Sequence, residues 1–317
     1  MTYVTIVLVL ALVFVNGFTD APTAIATAVS THAISVRRAI ALSALMNFLG
    51  MLAGTVFAPR LLTSVVGIAD GLTPAHAAAA TAAAMASCIL FAVAASVFGI
   101  PTSESHGMLA GAIGASCAYL GVDALVSEGA KAAVFGLFFA LAAGVGCGVL
   151  FAKILHTVCE KAEQKRLQTL ARFGAGMSAF LHGAQDGQKF LGMFLLCGVA
   201  QTPQTAFLPI ALTLTIGTAL GGRRILTRLS ELVPLSVSDG LAAEGGSIAV
   251  VLFATLAGIP VSTTHAKTAT MVGAGAAKGR RAIRVRSAFW MVLSWILTFP
   301  VCGALGFGFV RLFFAQI

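Results

Sequence analysis

Asp20 and Asp186 stand in apolar surroundings, each beside helix-breaking residues: Gly17 and Pro22 for the first, Gly183 and Gly187 for the second. An ionisable group at such depth is costly and ordinarily faces a cavity, an ion path or a partner. Each carboxylate has oxygen-bearing neighbours, Thr19, Thr23 and Thr27 in one case and Gln185 and Gln188 in the other. Hard oxygen ligands of this kind suit a small cation such as Na+ and not a transition metal. A proton could be carried equally well, and an Asp that merely caps a helix is the plainer alternative. Lys189, three residues after Asp186, is placed to pair with it.

A second chemistry is written in GIPVSTTHAKTATMVGAG, Gly258 to Gly275. Pro260 lacks an amide hydrogen and suits a helix start, where the first amides are unpaired anyway. Ser262, Thr263 and Thr264 can cap those amides or offer hydroxyls to a ligand. A helix that begins inside a membrane presents free N–H groups and a positive dipole end, which together favour an anion. Pro101, Thr102, Ser103, Glu104 and Ser105 repeat the arrangement. Ser and Thr also hydrogen-bond along membrane helices without any ligand, but two copies at matching positions favour the functional reading. Glu104 has no acidic counterpart at Thr263, and so serves as a proton carrier or as a helix-start anion. His106 and His265 are expected to be hydrogen-bonded structural groups. Gly107, Gly111, Gly114, Gly273 and Gly275 read as close-packing positions between helices.

These motifs form one duplication. NGFTDAPTAIATAVS from Asn16 matches HGAQDGQKFLGMFLL from His182, and GIPTSESHGMLAGAIGA from Gly99 matches GIPVSTTHAKTATMVGA from Gly258. The pairs Asp20/Asp186 and His106/His265 are 166 and 159 residues apart, so one small indel separates the copies. Loop charges reverse between copies. Arg37 and Arg38 follow the first Asp motif while GVAQTPQ follows the second; APRLLTSVVGIADG is nearly neutral where GGRRILTRLSE is basic; GVDALVSEGAK is acidic where KGRRAIRVR is strongly basic. Corresponding loops therefore lie on opposite faces of a membrane, with the basic ones cytoplasmic. Inverted repeats with polar interruptions at matching positions mark secondary transporters, whose site lies near the midplane where the repeats meet.

The elements that must carry this site are membrane helices. Of 317 residues 58% are hydrophobic and 10% charged, with a mean hydropathy of +0.97. A soluble fold would expose large apolar surface, so the chain is expected to be an all-α polytopic membrane protein. It reads as a first inverted repeat over 1–156, a cytoplasmic connecting loop over 157–175 and a second repeat over 176–317, with broken or re-entrant helices meeting at a midplane site. Several apolar runs are shorter than the roughly 20 residues a span needs. The first run lacks a basic leader and is read as an uncleaved helix. The net charge of +9 lies in loops beside apolar runs and offers no soluble basic face for nucleic acid. Cysteine spacing shows neither a disulfide framework nor a metal site.

Read together, GFTDAPTAIATAVST, HGAQDGQKFLGMF, IPTSESHGMLAGAIGA and IPVSTTHAKTATMVGAGAAKG resemble the paired motifs of the inorganic phosphate transporter (PiT) family, in its short bacterial form. TIGTALGGRRI and LAAEGG extend the likeness over nearly the whole chain. The resemblance implies cation sites at Asp20 and Asp186 with Thr19, Thr23, Gln185 and Gln188. It implies phosphate held by Ser103, Ser105, Ser262, Thr263 and Thr264 with backbone amides. Thr19, Thr23 and Gln185 stand where the family typically has Asn or, at the first, His, and Glu104 replaces a Thr. Glu104 and Lys189 are thus positions that could tune the proton or the anion.

The expected function is symport of inorganic phosphate with Na+ or H+ across the plasma membrane, the inner membrane of a bacterium. No further cofactor is expected; the partners are phosphate, the lipid bilayer and a second copy in a homodimer. Relatives of this family also move sulfate. Alternatives of other classes are a passive anion channel, which would need a continuous polar path, and an intramembrane enzyme, which would need one asymmetric site. Symmetric, concentrated polar motifs argue against both, so no catalytic residues are assigned.

Overall fold

The computed structural model describes residues 2–97, 102–159, 162–198, 203–223, 226–227, 229, 235–277, 285–314 and 316. Gly99 to Pro101, Arg224, Arg228 and most of the basic stretch after Ala277, all used in the sequence reading, lie outside them. Every regular element among the described residues is a helix. In lipid each backbone amide and carbonyl must be satisfied internally, and a helix does this within one segment. Among the described residues seven helical stretches are long and apolar enough to cross a membrane.

The first half comprises α1 (Thr2–Thr19), α2 (Ala26–Ser30), α3 (Val36–Phe57), α4 (Pro59–Val66), α5 (Pro74–Val97), α6 (Glu104–Leu120) and α7 (Glu128–Cys159). The second comprises α8 (Gln164–Leu196), α9 (Pro203–Leu220), α10 (Val237–Ala257), α11 (Thr263–Ala276) and α12 (Val285–Phe309). The stretch 157–175, expected as a loop, is helical from Gln164 onward, because it forms the first turns of α8.

Helix breaks fall at the chemistry. α1 and α2 run in line as one apolar stretch, Tyr3–Ser30, interrupted by a 3-10 turn over Ala21–Ile25. Pro22 has no amide to continue the α-helical ladder, and the Thr23 amide donates instead to the Asp20 carbonyl at 2.8 Å. At the matching place of α8 stands Gln188, and that helix continues unbroken.

α5 with α6, and α10 with α11, form two hairpins whose tips lead into the hydroxyl motifs. At the base of the first, the His76 and Tyr119 rings stack at 4.1 Å. At the base of the second, Leu235 packs with Met271 and Ala274. α7 runs between the two ends of the bundle. Its start at Gly129 lies against Gly67 and Ile68, to whose carbonyl Ser116 near the end of α6 donates. Its far end leads to α8, where Gln164 shares a surface cavity with Ser236 just before α10. The hairpins therefore enter from opposite ends, as an inverted duplication requires.

The halves interlock, with α1 on α9 and α8 on α3. Glycines permit the approach. A Cβ at Gly183 would collide with the Asn47 carbonyl of α3, and one at Gly17 with the Leu214 carbonyl of α9.

Candidate functional site

The two Asp motifs meet. Asn16 Nδ2, on α1, lies 3.2 Å from Asp20 Oδ2 and 3.2 Å from Asp186 Oδ2 of α8. Ligand atoms of Asp20, His182 and Asp186 all lie within 4.8 Å of one another. Asn16 and His182 each sit four residues before their Asp, the spacing that brings side chains onto one helix face. Asp20 begins the 3-10 turn but makes no side-chain cap, so the capping alternative does not hold for it.

Hydroxyl-bearing helix starts close over this pair. Ser103 Oγ accepts from the His106 amide at 3.3 Å and Ser262 Oγ from the His265 amide at 3.0 Å, capping α6 and α11 alike. Two contacts then cross between halves. Thr23 and Thr264 hydroxyls lie 3.1 Å apart, and Lys189 Nζ donates to Ser105 Oγ at 3.2 Å. Thr23 and Lys189 occupy matching positions, as do Ser105 and Thr264, so the duplication has kept the contact and changed its chemistry. Lys189 also pairs with Asp186 at 2.7 Å and donates to the Val261 carbonyl. Thr19 donates to a Glu104 oxygen at 2.7 Å, and Thr102 reaches the same oxygen at 3.3 Å. In the other half Thr263, the counterpart of Glu104, is held by His182 Nδ1 at 2.8 Å.

Three buried carboxyl groups, of Asp20, Glu104 and Asp186, thus share the site with one ammonium, that of Lys189, which pairs with Asp186. Asn16 Oδ1 and Gln185 Oε1 are buried acceptors that no donor reaches among the described residues, and Asp20 Oδ1 and Glu104 Oε2 find no N–H or hydroxyl donor there, the two carboxyls lying against one another. Each such oxygen costs roughly 1–3 kcal/mol if left unmatched. Among the described residues the one group of ligand atoms close enough to share a cation is that of Asp20, Asp186 and His182, and its two carboxylates suit a hard cation such as Na+.

Gln185 Nε2 donates to Thr255 at 3.2 Å and to the Ile259 carbonyl at 3.3 Å, which fixes its own oxygen near the segment leading to α11. Gln188 behaves differently: its Nε2 has no partner among the described residues, and a Cβ added at Gly54 of α3 would meet it at 3.2 Å. The structure does not join Gln188 to the cluster by a hydrogen bond. The His106 and His265 rings lie 5.1 Å apart, and His265 lies 4.6 Å from Trp295. His106 Nδ1 is 3.3 Å from Ser103 Oγ, while among the described residues neither ring nitrogen of His265 has a partner. His106 thus keeps a hydrogen bond, as expected, whereas His265 is held by ring packing.

A second polar cluster went unassigned in the sequence. Glu244 of α10 accepts from Thr27 at 2.5 Å and Ser178 at 2.7 Å, and pairs with Lys267 of α11, which also donates to the Ala24 carbonyl at 3.2 Å. All four side chains are buried. A charged residue within each of two apolar helices was the signal that could have found it.

The profile of the phosphate transporter family matches residues 16–171 and 158–306, once per half. A probable low-affinity inorganic phosphate transporter of Mycobacterium bovis is 30% identical over 96% of this chain and 75% of its own length. Proteins of the same description from Bacillus subtilis and Rhizobium meliloti are 27% and 31% identical, covering 96% and 90% of this chain and 95% and 89% of theirs. A solved structure described as the sodium-dependent phosphate transporter superposes with a TM-score of 0.84 at 17% identity, covering 100% of this chain and 99% of that one. At that identity the likeness speaks for the fold.

Proposed function

The chain belongs to the phosphate transporter family, and from that premise we propose that it is a multi-pass membrane symporter that carries inorganic phosphate with a cation, Na+ or H+, by alternating access between its halves. The observation that carries this is the meeting of Asp20 and Asp186 beneath the capped starts of α6 and α11. One place thereby offers oxygens for a cation and hydroxyls, amides and an ammonium for an anion. A bare divalent anion at the midplane is prohibitively costly, so each of its lost waters needs a replacement.

Ser103, Ser105, Ser262, Thr263 and Thr264 supply hydroxyl donors, the helix starts supply the positive end of a dipole, and Lys189 supplies a full charge. The cation offsets the carboxylates, with Asp20 and Asp186 as its anionic ligands and Thr19, Thr23 and Gln185 giving neutral oxygens. Gln188 takes part only if α8 turns during the cycle. Without the cation the carboxylates repel an incoming anion; the cation lowers that repulsion, so the anion is held only with it, which couples the two movements.

Hydrogen phosphate carries a proton that an ionised carboxylate accepts as a hydrogen bond, whereas sulfate has none to give. A site built for a donor rejects an analogue lacking it by a factor that reaches about 10⁴, so phosphate is preferred to sulfate. Uptake of radiolabelled phosphate into proteoliposomes tests the reading. Uptake driven by an imposed sodium or proton gradient, and resistant to excess sulfate, is expected. Full inhibition by sulfate overturns the substrate preference, and uptake indifferent to both gradients overturns coupling. Accelerated exchange when phosphate is present inside separates a carrier from a pore.

A further inference from the structure

The duplication gives a register in which to compare the Glu244 cluster with its counterpart. Offsets of 166 and 159 residues pair Thr27 with Met193, Ser178 with Leu12, Glu244 with Met85 and Lys267 with Met108. Packing supports this register: Gly111 faces Ser87, and at the matching places Thr270 faces Gly246, with small and larger partner exchanged. Leu12, Met85, Met108 and Met193 are all buried in a single apolar cluster. The same four places are therefore filled by apolar side chains in one of their two copies and by an ion pair with two hydroxyls in the other.

The polar version lies on a line. Thr23, Thr27 and Thr31 follow one another at four-residue spacing, from the 3-10 turn through α2 to its C-cap. Thr23 touches the central site, Thr27 touches Glu244, and Thr31 lines a surface vestibule of about 350 Å³ at the end that carries Gln164 and Ser236. Their counterparts are Lys189, Met193 and Cys197, so beyond Lys189 the opposite line is apolar. Between the central site and the vestibule a cavity of about 10 Å³ is bounded by Thr23, Thr263, Ser178, Ser247 and Lys267. That is room for about one water, so an oxyanion passes only when α11 or α8 shifts.

Stability does not explain the pair. A buried ion pair is often no better than apolar residues of similar volume, and the first half has the apolar solution at the same positions. What the pair adds is a movable charge. Glu244 keeps two hydroxyl donors, Thr27 and Ser178, when its lysine turns away, so Lys267 can leave without stranding a bare carboxylate. We propose that Lys267 is a second binding position for a tetrahedral oxyanion, one step from the central site toward the arginine-rich end of the bundle, where the departing anion takes the ammonium from Glu244. The other end has no such step.

This rests on phosphate being the cargo, and the experiment separates the two claims. In the full-length protein, Glu244→Met with Lys267→Met installs the residues of the first half. Equilibrium binding of radiolabelled phosphate to purified protein and uptake into proteoliposomes are measured together. Phosphate binding within about threefold of the native protein with uptake reduced about tenfold or more is expected, since a later step is removed and not the primary site. Native uptake in the double variant overturns the proposal, as does loss of binding in step with uptake. A native protein that neither binds nor takes up phosphate sinks the cargo assignment instead. If the double variant does not fold, Lys267→Arg against Lys267→Gln decides: uptake kept by Arg alone supports the position, and equal uptake in both overturns it.

Discussion

Lys189 is buried and leans on Asp186; removing that partner leaves an uncompensated charge. Asp186→Ala should therefore cost about 3–5 kcal/mol and deplete folded protein. Asp186→Asn, which keeps the shape and one acceptor, should fold better yet abolish gradient-driven uptake; size-exclusion yield and transport measured side by side check both. Ser262→Ala removes the cap of α11 and should cost about 0.5–2 kcal/mol of stability, with weaker phosphate binding, read by thermal melting with and without phosphate. At this scale the duplication made Asp20, Asp186 and the hydroxyl clusters legible, because a chance polar residue is not repeated at a fixed offset. Asn16 and His182 stayed silent although they open the repeated motif, since their role appears only when two helices cross. Gln188 shows the converse. It is as polar as Gln185, but it sits two residues past Asp186, about 200° around an unbroken helix, and faces Gly54.

Elements were legible where apolarity was sufficient. The hairpin α10–α11 follows from Pro260 and the capped hydroxyls, and the break after Asp20 from Pro22. α8 was the hardest to read, because its inward polar residues and basic first turns resemble a loop joined to a short span; only burial by α3 and α10 makes it a helix of 33 residues. Close approach is the condition of that burial, and it can be tested at a glycine. Gly183→Ala places a methyl on the Asn47 carbonyl and should lower stability by about 1–3 kcal/mol, whereas Gly146→Ala, on an open face of α7 with nothing within 4 Å, should be near neutral. Melting temperatures of the two purified variants give the comparison.

For the whole molecule, the inversion was legible in loop charges alone, and the structure gives it a shape in the two opposed hairpins. Ser35, before α3, and Asp123, after α6, are both exposed and belong to opposite ends. A membrane-impermeant thiol reagent should label Ser35→Cys only from the cytoplasmic face and Asp123→Cys only from the outer one; labelling from the same face would refute the inverted arrangement. The unlike closures at those two ends, methionines and a leucine at one and an ion pair with hydroxyls at the other, bear on direction. An oily closure opens by wetting as a unit, while an ionic one gives way by successive exchange of partners, so the barriers to entry and departure differ in height and in sensitivity to salt. Microscopic reversibility still fixes the product of rates around the cycle by the two ion gradients alone. A one-sided latch of this kind makes a carrier faster one way under load, but it never makes it a pump.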